Sequence, residues 1–317
     1  MSEPDNRPLK VFVAGATGVL GREAVDALTA AGHQVTGVAR SGEKADLLRR
    51  LGAEPVLVDL FDPAAVTVAV RDHDAVCNLT TSIPRPSRYF RRSPWEMNDR
   101  LHRDASRHLV EGALAAGAER YVQHSVAFMY ADGGTTWLDE GSPLDPPPHG
   151  LAVVEAEEQT HRFASAGGSA VALRFGLFYG PPAQTARDLL RIARLGFVPL
   201  PGPPDAYVSF VHTDDLGPAV AAALRAPSGA YNVVDDDPLT RAELGAVLAA
   251  ALGRKRLHVA PFVKRMMGKR FAYIARSQRV TNTYFKAATK WTPTIASSRD
   301  GWERMVRAVA AERFRSR

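Results

Sequence analysis

Two hydrophobic periods alternate along the first 180 residues. Short β-branched and apolar runs at 10–14, 34–39, 54–58, 75–79, 120–124 and 170–174 read as strands. Longer stretches of helical period, such as 21–31 and 100–116, lie between them. This alternation predicts β-α-β units around a parallel sheet, and sheets of that kind bury both faces, hence the unbroken apolar runs. After Gly180 the alternation weakens. The stretches 180–202 and 239–261 read as helices with their own loops, and 144–150 is a proline-rich loop. The expected fold is α/β. A doubly wound parallel sheet spans 8–180, and a smaller, mainly helical lobe spans 181–317, with some sheet elements returning to the first unit. Ligands are expected in the cleft between them.

Composition narrows the classes. Hydrophobic residues make up 45% and charged residues 23% of the chain, which excludes a disordered or collagen-like chain. A single cysteine, Cys77, allows no disulfide within the chain and no cysteine-built zinc site. The opening stretch MSEPDNRPLK is polar and unlike a signal peptide. The longest apolar runs, such as 246–252, are too short to cross a bilayer, which takes about 20 residues. A cytoplasmic protein without a membrane or metal partner is expected. The net charge of +6 is uneven: residues 254–317 carry 17 Lys/Arg against 3 Asp/Glu. These cations are scattered among apolar residues and not interleaved with aromatics, so they read as a solvated surface and not as a nucleic-acid site.

The chemistry starts at Gly15-Ala16-Thr17-Gly18-Val19-Leu20-Gly21, between a strand and a helix. Gly15 permits a tight turn, Gly18 lets backbone approach a diphosphate, and Gly21 lets the helix pack closely. The helix start then offers free N–H groups and a partial positive charge to phosphates. This G-x-x-G-x-x-G spacing resembles that of the extended short-chain dehydrogenase/reductases, the NAD-dependent epimerase/dehydratase family. Further segments are similar in order: Asp59-Leu60, Asn98, His124-Ser125 through Tyr130, Arg174 through Pro181, Phe210 through Leu216, and Gly229 through Val233. The resemblance implies a dinucleotide lying along Gly15, Thr17, Gly18, Val19, Leu20 and Gly21. It also implies adenine beside Asp59 and Leu60, and the nicotinamide end near Leu79, Thr80, Thr81, Phe175 and Leu177. It further implies a homodimer.

At the end of the second strand NAD binding calls for an acidic residue, yet the chain has Arg40 and Ser41. A guanidinium paired with a 2′-phosphate predicts NADP(H) in preference to NAD(H). The family's Tyr-x-x-x-Lys pair, which moves the proton while hydride moves, is missing. Its tyrosine position falls within 149–151 and its lysine position within 153–155, and no register supplies both residues. The family's serine offset from Tyr130 lands on Val126, one residue beyond Ser125. Ser125, Tyr130 and His149 are therefore the candidate catalytic residues, with Asn98 in support. Glu155 is a further candidate, although Glu157 and Glu158 beside it suggest an exposed acidic helix face. Arg85 and Arg88, in an arginine- and aromatic-rich loop after the fourth strand, suit an anionic or aromatic small-molecule substrate, together with Tyr179 and His212. The expected activity is an NAD(P)-dependent oxidoreductase acting on a small carbonyl or hydroxyl compound with a non-standard acid/base residue. The alternatives are a non-redox isomerase, lyase or cyclase, and an NADP-sensing binding protein.

Overall fold

Strands that are apolar on both faces need helices on both sides, and the chain supplies them in alternation. The computed structural model describes residues 7–84, 93–200, 202–258 and 273–315. Its first half runs β1 (Lys10–Ala14), α1 (Val19–Ala30), β2 (Gln34–Ala39), α2 (Gly42–Arg50), β3 (Glu54–Leu57), α3 (Pro63–Val70) and β4 (Ala75–Asn78). After α4 (Glu96–Arg100) comes a π-helical turn at Leu101–Ala105, then α5 (Ser106–Ala115) and β5 (Arg120–Val126). The short β6 (Trp137–Leu138) precedes α6 (Leu151–Ser165), β7 (Ser169–Phe175) and β8 (Leu177–Tyr179). The second half continues with α7 (Gln184–Arg194), β9 (Tyr207–Val208), β10 (Phe210–His212), α8 (Leu216–Ala223) and β11 (Gly229–Val233). It ends with β12 (Leu239–Thr240), α9 (Arg241–Ala251), β13 (Arg279–Val280), α10 (Thr283–Thr289) and α11 (Ser298–Arg315).

Seven strands form one parallel sheet in the order β11-β7-β5-β4-β1-β2-β3. The chain winds outward from β1 in both directions, so a crevice opens at the carboxyl ends of β1 and β4. Helices α1 and α8 cover one face around Val11, Val13, Leu28 and Val220, and α3 and α5 cover the other around Phe12, Val66, Leu109 and Tyr121. Gly217 lets α8 lie against α1: a methyl there would come within 2.1 Å of the Glu23 carbonyl oxygen. The seventh strand, Gly229–Val233, was legible only as a motif. It pairs along β7 and brings a segment from the second half into the sheet. The expected helix over 100–116 starts earlier, at Glu96, and passes through a π-helical turn at Leu101–Ala105 before continuing as α5.

Local chemistry sets the helix starts. Asp62 accepts hydrogen bonds from the Ala64 and Ala65 amides ahead of Pro63, and Thr240 and Glu243 form a reciprocal capping box at α9. The helical lobe packs Tyr179, Leu190, Phe210, Leu248, Trp302 and Met305 together. Beside them the Asp235 carboxyl is only 2% exposed, close to Ser298 at the start of α11. Burial pushes that carboxyl well above the usual carboxylate range. A raised folded pKa means full stability below the ordinary carboxylate range and a progressive loss as pH rises from there toward the folded value. Asp235→Asn is therefore expected to be more stable than the wild type at pH 8 by about 1–3 kcal/mol, with the gap closing near pH 4. Thermal melts at the two pH values check this.

Candidate active site

The turn between β1 and α1 is built for close approach. Gly15 has φ +79°, and a methyl on it would lie 2.7 Å from the Leu79 carbonyl and 2.9 Å from the Thr80 nitrogen. The Gly18 amide closes the turn on the Gly15 carbonyl at 3.0 Å. A methyl on Gly21 would come within 2.1 Å of that same carbonyl oxygen, so Gly21 serves the turn itself as well as helix packing. Gly18 caps α1 with no side chain on the amides, and the first turn carries no acidic residue. The leading amides of α1, from Val19, Leu20 and Gly21, lack helical acceptors and leave an N-terminus suited to an anion. Thr17 precedes that cap. A dinucleotide diphosphate fits this cradle.

The other strand ends face the same crevice. Arg40 and Ser41 follow β2, both exposed, and the Ser41 hydroxyl accepts from the Lys44 amide as the cap of α2. Asp59 is exposed and accepts from the Phe61 amide at 2.9 Å, while Leu60 is 9% exposed in the core. Leu79 and Thr80 are buried after β4, and the Thr80 hydroxyl donates to Asn78 Oδ1 at 2.7 Å; Thr81 is exposed. Asn98 is buried and accepts from the Ser82 amide at 3.1 Å, which pins the chain leaving β4. Arg85 and Arg88 lie outside the described residues.

The strand register puts Ser125 beside Arg174 and Val126 beside Phe175. Ser125 is fully buried, and its hydroxyl donates to Glu157 Oε1 at 2.5 Å. Glu157 in turn accepts twice from Arg174, at 2.9 and 2.7 Å. Arg174 also donates at 2.9 Å to the Tyr130 hydroxyl, which donates to Asn232 Oδ1 at 2.8 Å. The ends of β5, β7 and β11 are thus tied together by one buried network. Tyr130 has no exposed surface, and burial raises its pKa, the opposite of what a proton-transferring tyrosine needs. The acidic run on α6 is not one exposed face. Glu157 is turned inward, because Arg174 compensates its charge, whereas Glu155 pairs with Arg103 at 2.7 Å on the surface.

Packing surrounds the stretch of the missing pair with apolar groups. Val126 and Val153 share one small apolar cluster with Met129. Val153 falls at one of the lysine positions, His149 four residues earlier at one of the tyrosine positions, and Val126 at the serine offset from Tyr130. Leu151, at the far end of the tyrosine range, is 53% exposed. The His149 ring stacks on Trp95 with centroids 4.2 Å apart, and Tyr273 meets it edge-on at 5.1 Å. Burial pushes its pKa down to about 4, so the ring is neutral at pH 7. Spacing alone does not show which α6 side chains meet the end of β5, because that is a tertiary contact.

Phe175 is buried at the end of β7, and the Leu177 amide is already bonded to the Ser209 carbonyl at 3.0 Å. Tyr179 is fully buried in the lobe core, stacked on Trp302 at 5.5 Å. His212 is 4% exposed, and its Nδ1 accepts from the Asp214 amide at 3.2 Å as a cap. The structure therefore places both rings in packing. Among the described residues no group of three or more His, Cys, Asp or Glu could hold a metal, and no helix is long and apolar enough to cross a membrane.

Comparison with known proteins agrees with this architecture. The NAD dependent epimerase/dehydratase family matches residues 11–234. A Streptomyces 3-diazoavenalumate denitrifying reductase is 36% identical over 310 residues, covering 92% of this chain and 99% of its own. The 2-alkyl-3-oxoalkanoate reductase of Shewanella oneidensis is 28% identical over 266 residues, covering 76% of this chain and 66% of its own. The fold is shared with Thermus thermophilus UDP-glucose 4-epimerase, solved with NAD, at a TM-score of 0.72 and 21% identity over 94% of this chain and 98% of that one. With its glycine turn, its seven-stranded parallel sheet and a match across most of its length, the chain belongs to the NAD-dependent epimerase/dehydratase family and is an oxidoreductase- or epimerase-like enzyme.

Proposed function

We propose that this enzyme is an NADPH-dependent reductase that delivers hydride to an electron-poor carbon without a proton donor of its own, and that it serves a diazonium group on a small acid. The observation that carries this reading is the apolar cluster of Val126 and Val153, where a proton-handling site would hold serine and lysine. When bound, a reduced nicotinamide supplies the hydride. A carbonyl acceptor would also need a proton on its oxygen. A diazonium carbon needs none: the hydride pair becomes the new C–H bond, the C–N bond breaks, and its electrons leave in N2. The name of the Streptomyces relative, a denitrifying reductase acting on a diazo acid, supports this choice.

The chain's own residues then have simple tasks. The α1 amides hold the diphosphate, Asn98 fixes the chain leaving β4, and the neutral stack of His149 on Trp95 walls the site. Val126 and Val153 keep titratable groups away from the reacting carbon. Arg40 takes the 2′-phosphate that distinguishes NADPH. Arg40→Ala is expected to raise the KM for NADPH about tenfold or more and to leave that for NADH nearly unchanged; steady-state kinetics with both coenzymes check it.

The proton-free mechanism is tested by pH and by His149. With NADPH and an aryl diazonium carboxylate, kcat is expected to vary less than about threefold between pH 6 and 9, because the step takes no proton from the protein and burial holds the His149 ring neutral across that range. His149→Phe keeps the stack on Trp95 and is expected to retain at least about half of kcat. A loss of about 100-fold or more, the usual effect of removing a general acid, would refute the reading.

A further inference from the structure

Two histidines that no step above employs are buried side by side behind the strand end. His102 lies in the π-helical turn and is 2% exposed, and His124 lies on β5 and is 3% exposed. Their ring centroids are 6.0 Å apart and their planes are inclined at 53°. His102 Nδ1 is 2.9 Å from the Asn98 carbonyl oxygen, which can only accept, so the proton sits on Nδ1 and Nε2 presents a lone pair. That Nε2 and the Nδ1 of His124 are buried without a hydrogen-bond partner among the described residues. Burial lowers both pKa values, that of His124 to about 3, so both rings are neutral. His124 is two residues before Val126 on the same strand face, and it stacks on Phe175 with centroids 5.7 Å apart and planes at 17°.

The geometry points to a binding site for one buried water between the two rings, completing a directed chain in which His124 Nδ1–H donates to the water, the water donates to His102 Nε2, and His102 Nδ1–H donates to the Asn98 carbonyl. A water bonded at about 2.9 Å to each nitrogen holds them about 4–5 Å apart, in keeping with the ring separation. Head-to-tail order satisfies both orphaned nitrogens and lets each bond polarise the next. The chain fixes His124 in its Nδ1–H tautomer, which leaves Nε2 as a neutral acceptor for an N–H or O–H of the bound cofactor or substrate. It also links that acceptor to Asn98, which pins the chain leaving β4.

The tautomer is testable on the protein without ligand, independently of any hydride transfer. In long-range 1H–15N spectra of the labelled protein, His102 and His124 are both expected as the Nδ1–H form, the minor tautomer of free histidine, between pH 6 and 8, and saturating NADPH leaves that form unchanged. A crystal structure at high resolution is expected to show one water between the rings. An Nε2–H or doubly protonated His124, or no water, overturns the proposal. His124→Phe preserves the stack on Phe175 but removes the acceptor, and it is expected to raise the KM for NADPH or for the substrate at least threefold; unchanged values for both overturn the acceptor role. If the spectra show the expected tautomers but no substrate is reduced, the reductase reading fails and this one stands.

Discussion

Gly21→Ala is expected to abolish useful cofactor binding, with NADPH affinity reduced at least about 100-fold, or about 2.7 kcal/mol. The added methyl would sit 2.1 Å from the Gly15 carbonyl oxygen and 2.7 Å from Ala16 backbone atoms. None of these is the flexible end of a side chain, so the turn itself must open. Opening it moves the amides at the start of α1 away from the phosphates they would hold, because position and dipole act together there. Overpacking adds about 1–3 kcal/mol of lost stability. Gly245→Ala within α9 is the control, since its methyl would meet Val198 at an ordinary 3.5 Å. That control should match or slightly exceed wild-type stability, by up to about 1 kcal/mol. Calorimetric titration with NADPH and thermal melts of the two variants measure the contrast.

The second large effect is expected at Glu157. Removing it leaves the Arg174 guanidinium, whose side chain is 8% exposed, without its carboxylate partner, and it also frees the Ser125 hydroxyl. Breaking a buried pair from one side costs about 3–5 kcal/mol, far more than the pair itself need contribute. Glu157→Ala is therefore expected to lower stability by about that much, visible in urea unfolding. Glu157→Leu combined with Arg174→Leu should recover part of the loss, because no charge is then stranded. The same asymmetry accounts for Tyr130: its hydroxyl sits between Arg174 and Asn232 and belongs to this network.

The sheet and its glycine turn were legible because their signals are local. Strand, glycine turn and helix are consecutive in sequence, and the conformation of Gly15 follows from the turn the motif must make. The centre of the site was less legible because its contacts are remote. Glu157 and Glu158 are neighbours with the same charge, and only the position of Arg174 on β7 decides that one of them is buried. Val126 and Val153 are unremarkable in isolation, and their meaning comes from packing together. The pairing of His102 with His124 was hidden for the same reason, since no spacing connects a helical turn with a strand end. The arginine loop, with Arg85 and Arg88, falls outside the described residues, so its part in substrate choice rests on composition.

The most direct test of the central claim is the origin of the new hydrogen in the product. With NADPH carrying deuterium at both C4 positions, an aryl diazonium carboxylate and ordinary water, the deuterium is expected at the carbon that lost nitrogen. One N2 should be released and one NADPH consumed per product. Product bearing solvent hydrogen at that carbon, or formed without coenzyme oxidation, would contradict hydride delivery by this site.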